Sequence, residues 1–121
     1  AALESYRSGS DMGRQMENVP VVILECVRLD DSDVSMVSGS SIYPAVQNLM
    51  LAARALGLGT VLTTNHTRYE EEVKRFFGIP DGVATAALIP LGYPAEGERF
   101  GGSRRKPLED VTFYDHWGQH A

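Results

Sequence analysis

Ile42-Tyr43-Pro44-Ala45-Val46-Gln47-Asn48-Leu49-Met50-Leu51-Ala52-Ala53-Arg54-Ala55-Leu56-Gly57-Leu58-Gly59-Thr60 is the stretch on which the fold turns. Ser40 or Ser41 can N-cap a helix from about Ile42 to Leu56, with Pro44 accepted in the first turn because the N–H it lacks has no helical partner there. Along that helix only Gln47, Asn48 and Arg54 are strongly polar. A helix apolar nearly all round has to be covered on most sides. In a chain of 121 residues this predicts a sheet against one side and a second subunit against the other. Gly57 supplies the stop, since glycine enters the left-handed region without a Cβ clash.

Working outward, Gly59 to Thr64 reads as a short strand. Thr67 can cap a helix from Tyr69 to Phe77, with Tyr69, Val73, Phe76 and Phe77 on its inner side. Glu70, Glu71 and Glu72 stand in its first turn, where carboxylates suit the helix dipole. Gly78 ends it and Ile79-Pro80-Asp81-Gly82 forms a turn. Val83 to Leu91 is a buried strand with an alanine-rich centre. On the other side, Pro20 introduces Val21 to Val27, β-branched and continuous enough for a second buried strand. Leu3 to Glu17 suits a surface helix weakened by Gly9 and Gly13, and Asp30 through Ser40 reads as loop. The order is therefore α–β–α–β–α–β within one domain over 1–121, with an extended tail over 95–121. Helices alternating with strands indicate an α+β fold, an α/β sandwich.

Composition narrows the function classes. The hydrophobic share of 43% and charged share of 22% are ordinary for a globular protein, and a chain this long buries about two-thirds of its unfolded surface. Eleven basic against sixteen acidic residues leave a formal charge of −5, which disfavours nucleic acid as a partner. Cys26 is the only cysteine, so an internal disulfide is excluded, and its apolar neighbours predict a buried, inert thiol. No apolar stretch approaches the roughly 20 residues that span a bilayer, and the expected location is cytoplasmic with no membrane contact.

Obvious catalytic groups are scarce. His66, His116 and His120 show no metal spacing, and neither a nucleophile elbow nor a P-loop occurs. That fits a binding protein, or an enzyme whose cofactor carries the reactive atom. Two features favour a phosphate-bearing cofactor. Gly101-Gly102-Ser103-Arg104-Arg105-Lys106 sets flexible amides and a hydroxyl before three cations, a combination that matches phosphate oxygens and also a solvated basic patch. Thr63-Thr64-Asn65 places small polar groups at a strand end, where they could line a ring-shaped ligand or serve the local turn.

The opening stretch closely resembles the central-helix signature of the nitroreductase family. Pro90-Leu91-Gly92-Tyr93-Pro94-Ala95-Glu96, followed by Arg104-Arg105-Lys106-Pro107-Leu108-Glu109-Asp110-Val111, is similar to that family's ending. The resemblance runs in consistent order from Val19 to Trp117 and covers the C-terminal part of the family domain, so its N-terminal portion is expected to be absent from this chain. It implies a nitroreductase-like fold, a homodimer, and FMN bound where the subunits meet. It implies hydride transfer from NADH or NADPH through flavin to a nitroaromatic, quinone or similar small-molecule electron acceptor. By position, Leu62, Thr63, Thr64 and Asn65 match the segment lying against the flavin ring. Arg105 matches the cation that grips the phosphate, with Ser103 or Arg104 as its neighbour and Lys106 beside them. A non-catalytic flavin-binding or storage relative, or a truncated dimerisation module without flavin, are the alternatives.

Overall fold

In the computed structural model, residues 14–29, 34–98, 100–101 and 105–120 are described. Three strands form one antiparallel sheet: β1 (Val21–Arg28), β2 (Gly59–Thr60) and β3 (Val83–Gly92), in the order β1-β3-β2. β3 is central, which accounts for its small buried residues Ala84, Thr85 and Ala87. Two helices accompany the sheet, α1 (Met36–Ala55) and α2 (Glu70–Phe77), with short 3-10 turns at Met16–Asn18, Asn65–Tyr69 and Leu108–Asp110. The helix expected over Leu3 to Glu17 lies largely outside the described residues.

α1 starts six residues earlier than the sequence suggests, because Ser35 rather than Ser40 or Ser41 is its cap. Ser35 and Ser38 form a reciprocal capping box, the Ser38 amide donating to Ser35 Oγ at 3.3 Å and the Ser35 amide to Ser38 Oγ at 2.9 Å. Pro44 therefore sits inside the helix, where its ring removes the bond to the Ser40 carbonyl. The helix tolerates this because eight residues before Pro44 and eleven after it continue it. Its end follows the sequence: Gly57 at φ 79° lets the Leu58 amide reach the Ala53 carbonyl at 2.9 Å and its own amide reach Arg54 at 3.0 Å.

The expectation that α1 is covered on most sides does not hold within one chain. Val46 and Ala53 are its buried residues, while Leu51 and Leu56 are exposed by 56% and 74%. Val46, Ala87 and Ile89 form the fully buried centre, with Ile23, Ile42, Leu49 and Met50 packed around it. The helix lays one stripe on the sheet and leaves the other apolar stripe to solvent. α2 differs from expectation in the same way. It begins at Glu70, after a 3-10 turn in which Thr67 is no cap, and Tyr69, Phe76 and Phe77 point outward, with Phe76 82% exposed. Cys26 is half-buried rather than buried.

β2 is two residues long instead of six. Its register, Gly59 with Gly92 and Thr60 with Leu91, continues to an isolated bridge between Thr63 and Leu88. Extending that register sets Val61 opposite Pro90. Leu88 directs its N–H and C=O at Thr63, so Pro90, two residues on, would have to donate to the same side and has no N–H to give. The ladder opens there, and Val61 and Leu62 come free of it.

A second irregularity lies between β1 and β3. Glu25 pairs with Ala87 and Cys26 with Thr85, so Ala86 is left without a partner. Both helices attach at this bulge. The Tyr43 hydroxyl of α1 donates to the Ala86 carbonyl at 3.1 Å. Glu70 of α2 accepts from the Thr85 amide at 3.2 Å and from the Thr85 hydroxyl at 2.7 Å through one carboxylate oxygen.

Candidate functional site

The segment Leu62-Thr63-Thr64-Asn65 follows the gap in the ladder. Thr63 is its anchor, 8% exposed, exchanging two backbone hydrogen bonds with Leu88 at 3.0 and 2.8 Å. The Thr63 hydroxyl accepts from the Asn65 amide at 3.2 Å. The Thr64 carbonyl accepts from both the amide and hydroxyl of Thr67, at 3.0 and 2.8 Å. Leu62, Thr64 and Asn65 are exposed on either side of this anchor. A buried threonine thus fixes a short strip of chain whose neighbours face outward.

Arg105 and Lys106 are exposed and lie in the irregular tail. Ser103 and Arg104 fall outside the described residues. No hydrogen bond among the described residues joins Arg105 or Lys106 to the Leu62–Asn65 segment. The tail is tied down further upstream, where the Arg54 guanidinium stacks 3.3 Å from the Phe100 ring centroid. Phe100 also lines a groove of about 720 Å³, with Thr60, Val61, Pro90, Tyr93 and Pro94. That groove ends at Val61, one residue short of the segment.

Behind the segment lies a group of titratable side chains. His66 is 5% exposed, and among the described residues neither of its ring nitrogens has a hydrogen-bond partner. Burial lowers its pKa below 6.5, against a smaller opposing pull from Glu70. Glu70 is held below the usual carboxylate range chiefly by the Thr85 hydroxyl, with burial opposing and the Thr85 amide, Lys74 and His66 assisting. Burial raises the Cys26 thiol, with Glu25 and Glu70 adding to the rise, so it stays protonated and weakly nucleophilic at neutral pH. Among the described residues no three His, Cys, Asp or Glu side chains gather as metal ligands. No described helix is long and apolar enough to cross a membrane.

Several of these roles escape the sequence. Glu70 reads as one of three first-turn carboxylates, and only the fold shows that it alone meets β3. Its spacing of four residues from His66 was the available signal for their proximity. Tyr43 carries no polar partner in its own helix, and the bulge it serves has no local signature.

Comparison with known proteins agrees with this architecture. The model of the nitroreductase family matches residues 16–93. A Methanothermobacter thermautotrophicus protein, named as a candidate NADH dehydrogenase/NAD(P)H nitroreductase, is 38% identical over 99 residues, 78% of this chain and 50% of its own. A Thermus thermophilus protein named NADH dehydrogenase is 40% identical over 77 residues, covering 64% of this chain and 35% of that one. This chain thus spans half or less of the length of these relatives. The solved structure of a nitroreductase-like family protein from Bacillus cereus superposes with a TM-score of 0.69 at 19% identity, covering 96% of this chain and 62% of that chain. At that identity the likeness speaks for the fold, which is α+β and nitroreductase-like. With a family model spanning most of the sheet, both helices and the Leu62–Asn65 segment, the chain belongs to the nitroreductase family.

Proposed function

We propose that this chain forms part of an FMN-dependent oxidoreductase that takes hydride from NADH or NADPH and delivers it to a nitroaromatic, quinone or similar acceptor. The observation that carries this reading is the Thr63–Leu88 bridge inside the family-matched region. It anchors a strip whose outward residues, Leu62, Thr64 and Asn65, suit the face of a flat heteroaromatic ring. The residues fit such a group in two ways. Leu62 offers apolar surface, and Thr64 and Asn65 offer small polar groups around a backbone already held by β3. Exposed Arg105 and Lys106 offer cations suited to a phosphate.

When bound, FMN supplies the ring atom that accepts and returns the hydride. The chain's own part is positional. Thr63 holds the strip against the sheet, Leu62 excludes water from one side of the ring, and Arg105 with Ser103, Arg104 and Lys106 holds the phosphate end. The exposed apolar stripe of α1, with Leu51 and Leu56, is the surface on which a second copy packs. A homodimer can bring the strip of one subunit toward cations of the other.

Purified protein tests the reading directly. Bound FMN that NADPH or NADH reduces and a nitroaromatic reoxidises is the expected result. Bound FMN that neither nucleotide reduces would overturn the catalytic assignment in favour of a flavin store. Replacing Arg105 with Ala removes a charge-assisted contact of about 1.5–3 kcal/mol, so the FMN Kd rises roughly ten- to a hundred-fold. Fluorescence titration of FMN measures it, and an unchanged Kd removes Arg105 from the site.

A further inference from the structure

His66 presents an imbalance that the oxidoreductase reading leaves unused. A neutral imidazole carries one donor and one acceptor nitrogen, and here both are buried without partners among the described residues. Each such buried group forfeits the bonds it would make in water. The ring sits in the 3-10 turn Asn65–Tyr69, which is packed on β3 and α2 and is closed by the Thr67 contacts to the Thr64 carbonyl. A proton therefore reaches either nitrogen only after a local opening exposes it.

We infer that His66 is a proton-sensitive latch: proton uptake by its buried imidazole stabilises the open form of the Asn65–Tyr69 turn and so loosens the Leu62–Asn65 strip. The groups that face it decide the direction. From α2 comes Glu70, whose Oε1 is engaged by the Thr85 amide and hydroxyl and whose carboxylate makes no hydrogen bond to the ring in the closed turn. Lys74, one helical turn on, favours the ionised form of Glu70. From β3 the polar group is the Thr85 hydroxyl, committed to Glu70, and across the ladder stands the Cys26 thiol, which remains neutral. None of these groups hydrogen-bonds the imidazole in the closed turn. In the open turn water does so.

The sign follows from linkage. A histidine whose closed-state pKa lies below 6.5 leaves the closed turn fully stable above pH 6.5, and that stability is lost as pH falls from 6.5 toward the depressed value. Glu70 contributes no such slope in this window, because its own loss begins only below 4.5. The probe is the Thr67 amide, whose hydrogen bond to Thr64 breaks when the turn opens. Its hydrogen-exchange protection factor should fall by up to about tenfold per pH unit between pH 6.5 and the closed-state pKa. His66→Leu should remove that slope. A slope that survives in His66→Leu, or protection that is flat in the unsubstituted protein, overturns the latch. An NMR titration of the His66 ring in the unsubstituted protein gives an independent check, and a pKa at or above 6.5 overturns it as well.

The consequence for flavin rests on the proposed function and is separable. If the strip contacts the ring, FMN dissociation should accelerate over the same pH range and lose that acceleration in His66→Leu. A protection slope without any change in FMN release supports the latch and overturns the placement of the strip against flavin.

Discussion

Glu70 and Thr85 carry a measurable share of the stability, because they join α2 to the central strand at its bulge. One carboxylate oxygen accepts two hydrogen bonds from a residue that is 9% exposed, at 3.2 Å from the amide and 2.7 Å from the hydroxyl. Bonds to a charged acceptor contribute about 1.5–3 kcal/mol each, the shorter one the more. Glu70→Ala leaves both donors stranded in the sheet and should destabilise by about 2–4 kcal/mol, after allowance for water reaching a carboxylate that is itself only half-buried. Thr85→Val removes the hydroxyl bond and keeps the amide bond, at a cost of about 1–2 kcal/mol. The double variant should be less destabilised than the sum of the singles by about 1–2 kcal/mol, since the hydroxyl bond is counted in both. Urea unfolding at pH 7 with a shared m-value measures all four corners. The penalty of Glu70→Ala should also shrink below pH 4.5, because a carboxylate with a depressed pKa loses its stabilising contribution as it takes up its proton. A coupling energy under about 0.5 kcal/mol, or a penalty unchanged from pH 7 to 3, refutes the attachment.

Two further outcomes test the packing. Tyr43→Phe removes the hydroxyl that serves the unpaired Ala86 carbonyl and should cost about 1 kcal/mol, read as a fall in Tm of a few degrees; no change means water already serves that carbonyl. Leu51→Arg places a charge on the exposed apolar stripe of α1 and should leave the monomer fold intact while abolishing self-association in sedimentation; a variant that still dimerises puts the interface elsewhere.

Much of the fold was legible in residue pattern. The β-branched run at Val21, the glycine stop at Gly57 and the alanine-rich strand from Val83 all occur where expected, because local conformation and alternation dictate them. Helix starts were less legible. Ser35, Ser38, Ser40 and Ser41 are all capable caps, and Ser35 takes the role with Ser38 completing a reciprocal capping box, although Met36 and Val37 of that first turn stay exposed. The two-residue β2 was hidden for a different reason: Pro90 interrupts a partner strand about thirty residues away, so nothing within Gly59 to Thr64 announces the gap.

The same division separates the parts of the site. Sequence by itself determined the family, the long apolar helix and the chemical character of the Leu62–Asn65 strip and of the cations near Arg105. Those properties reside in residue type and spacing along one stretch of chain. Tertiary structure alone decided that Thr63 anchors the strip, that Glu70 and Tyr43 both serve the bulge at Thr85 and Ala86, and that His66 is buried without partners among the described residues. Among the described residues, it also decided that no hydrogen bond joins the strip to Arg105 or Lys106. Each is a relation between residues distant in sequence, and burial or a missing partner exists only once the chain has closed around it.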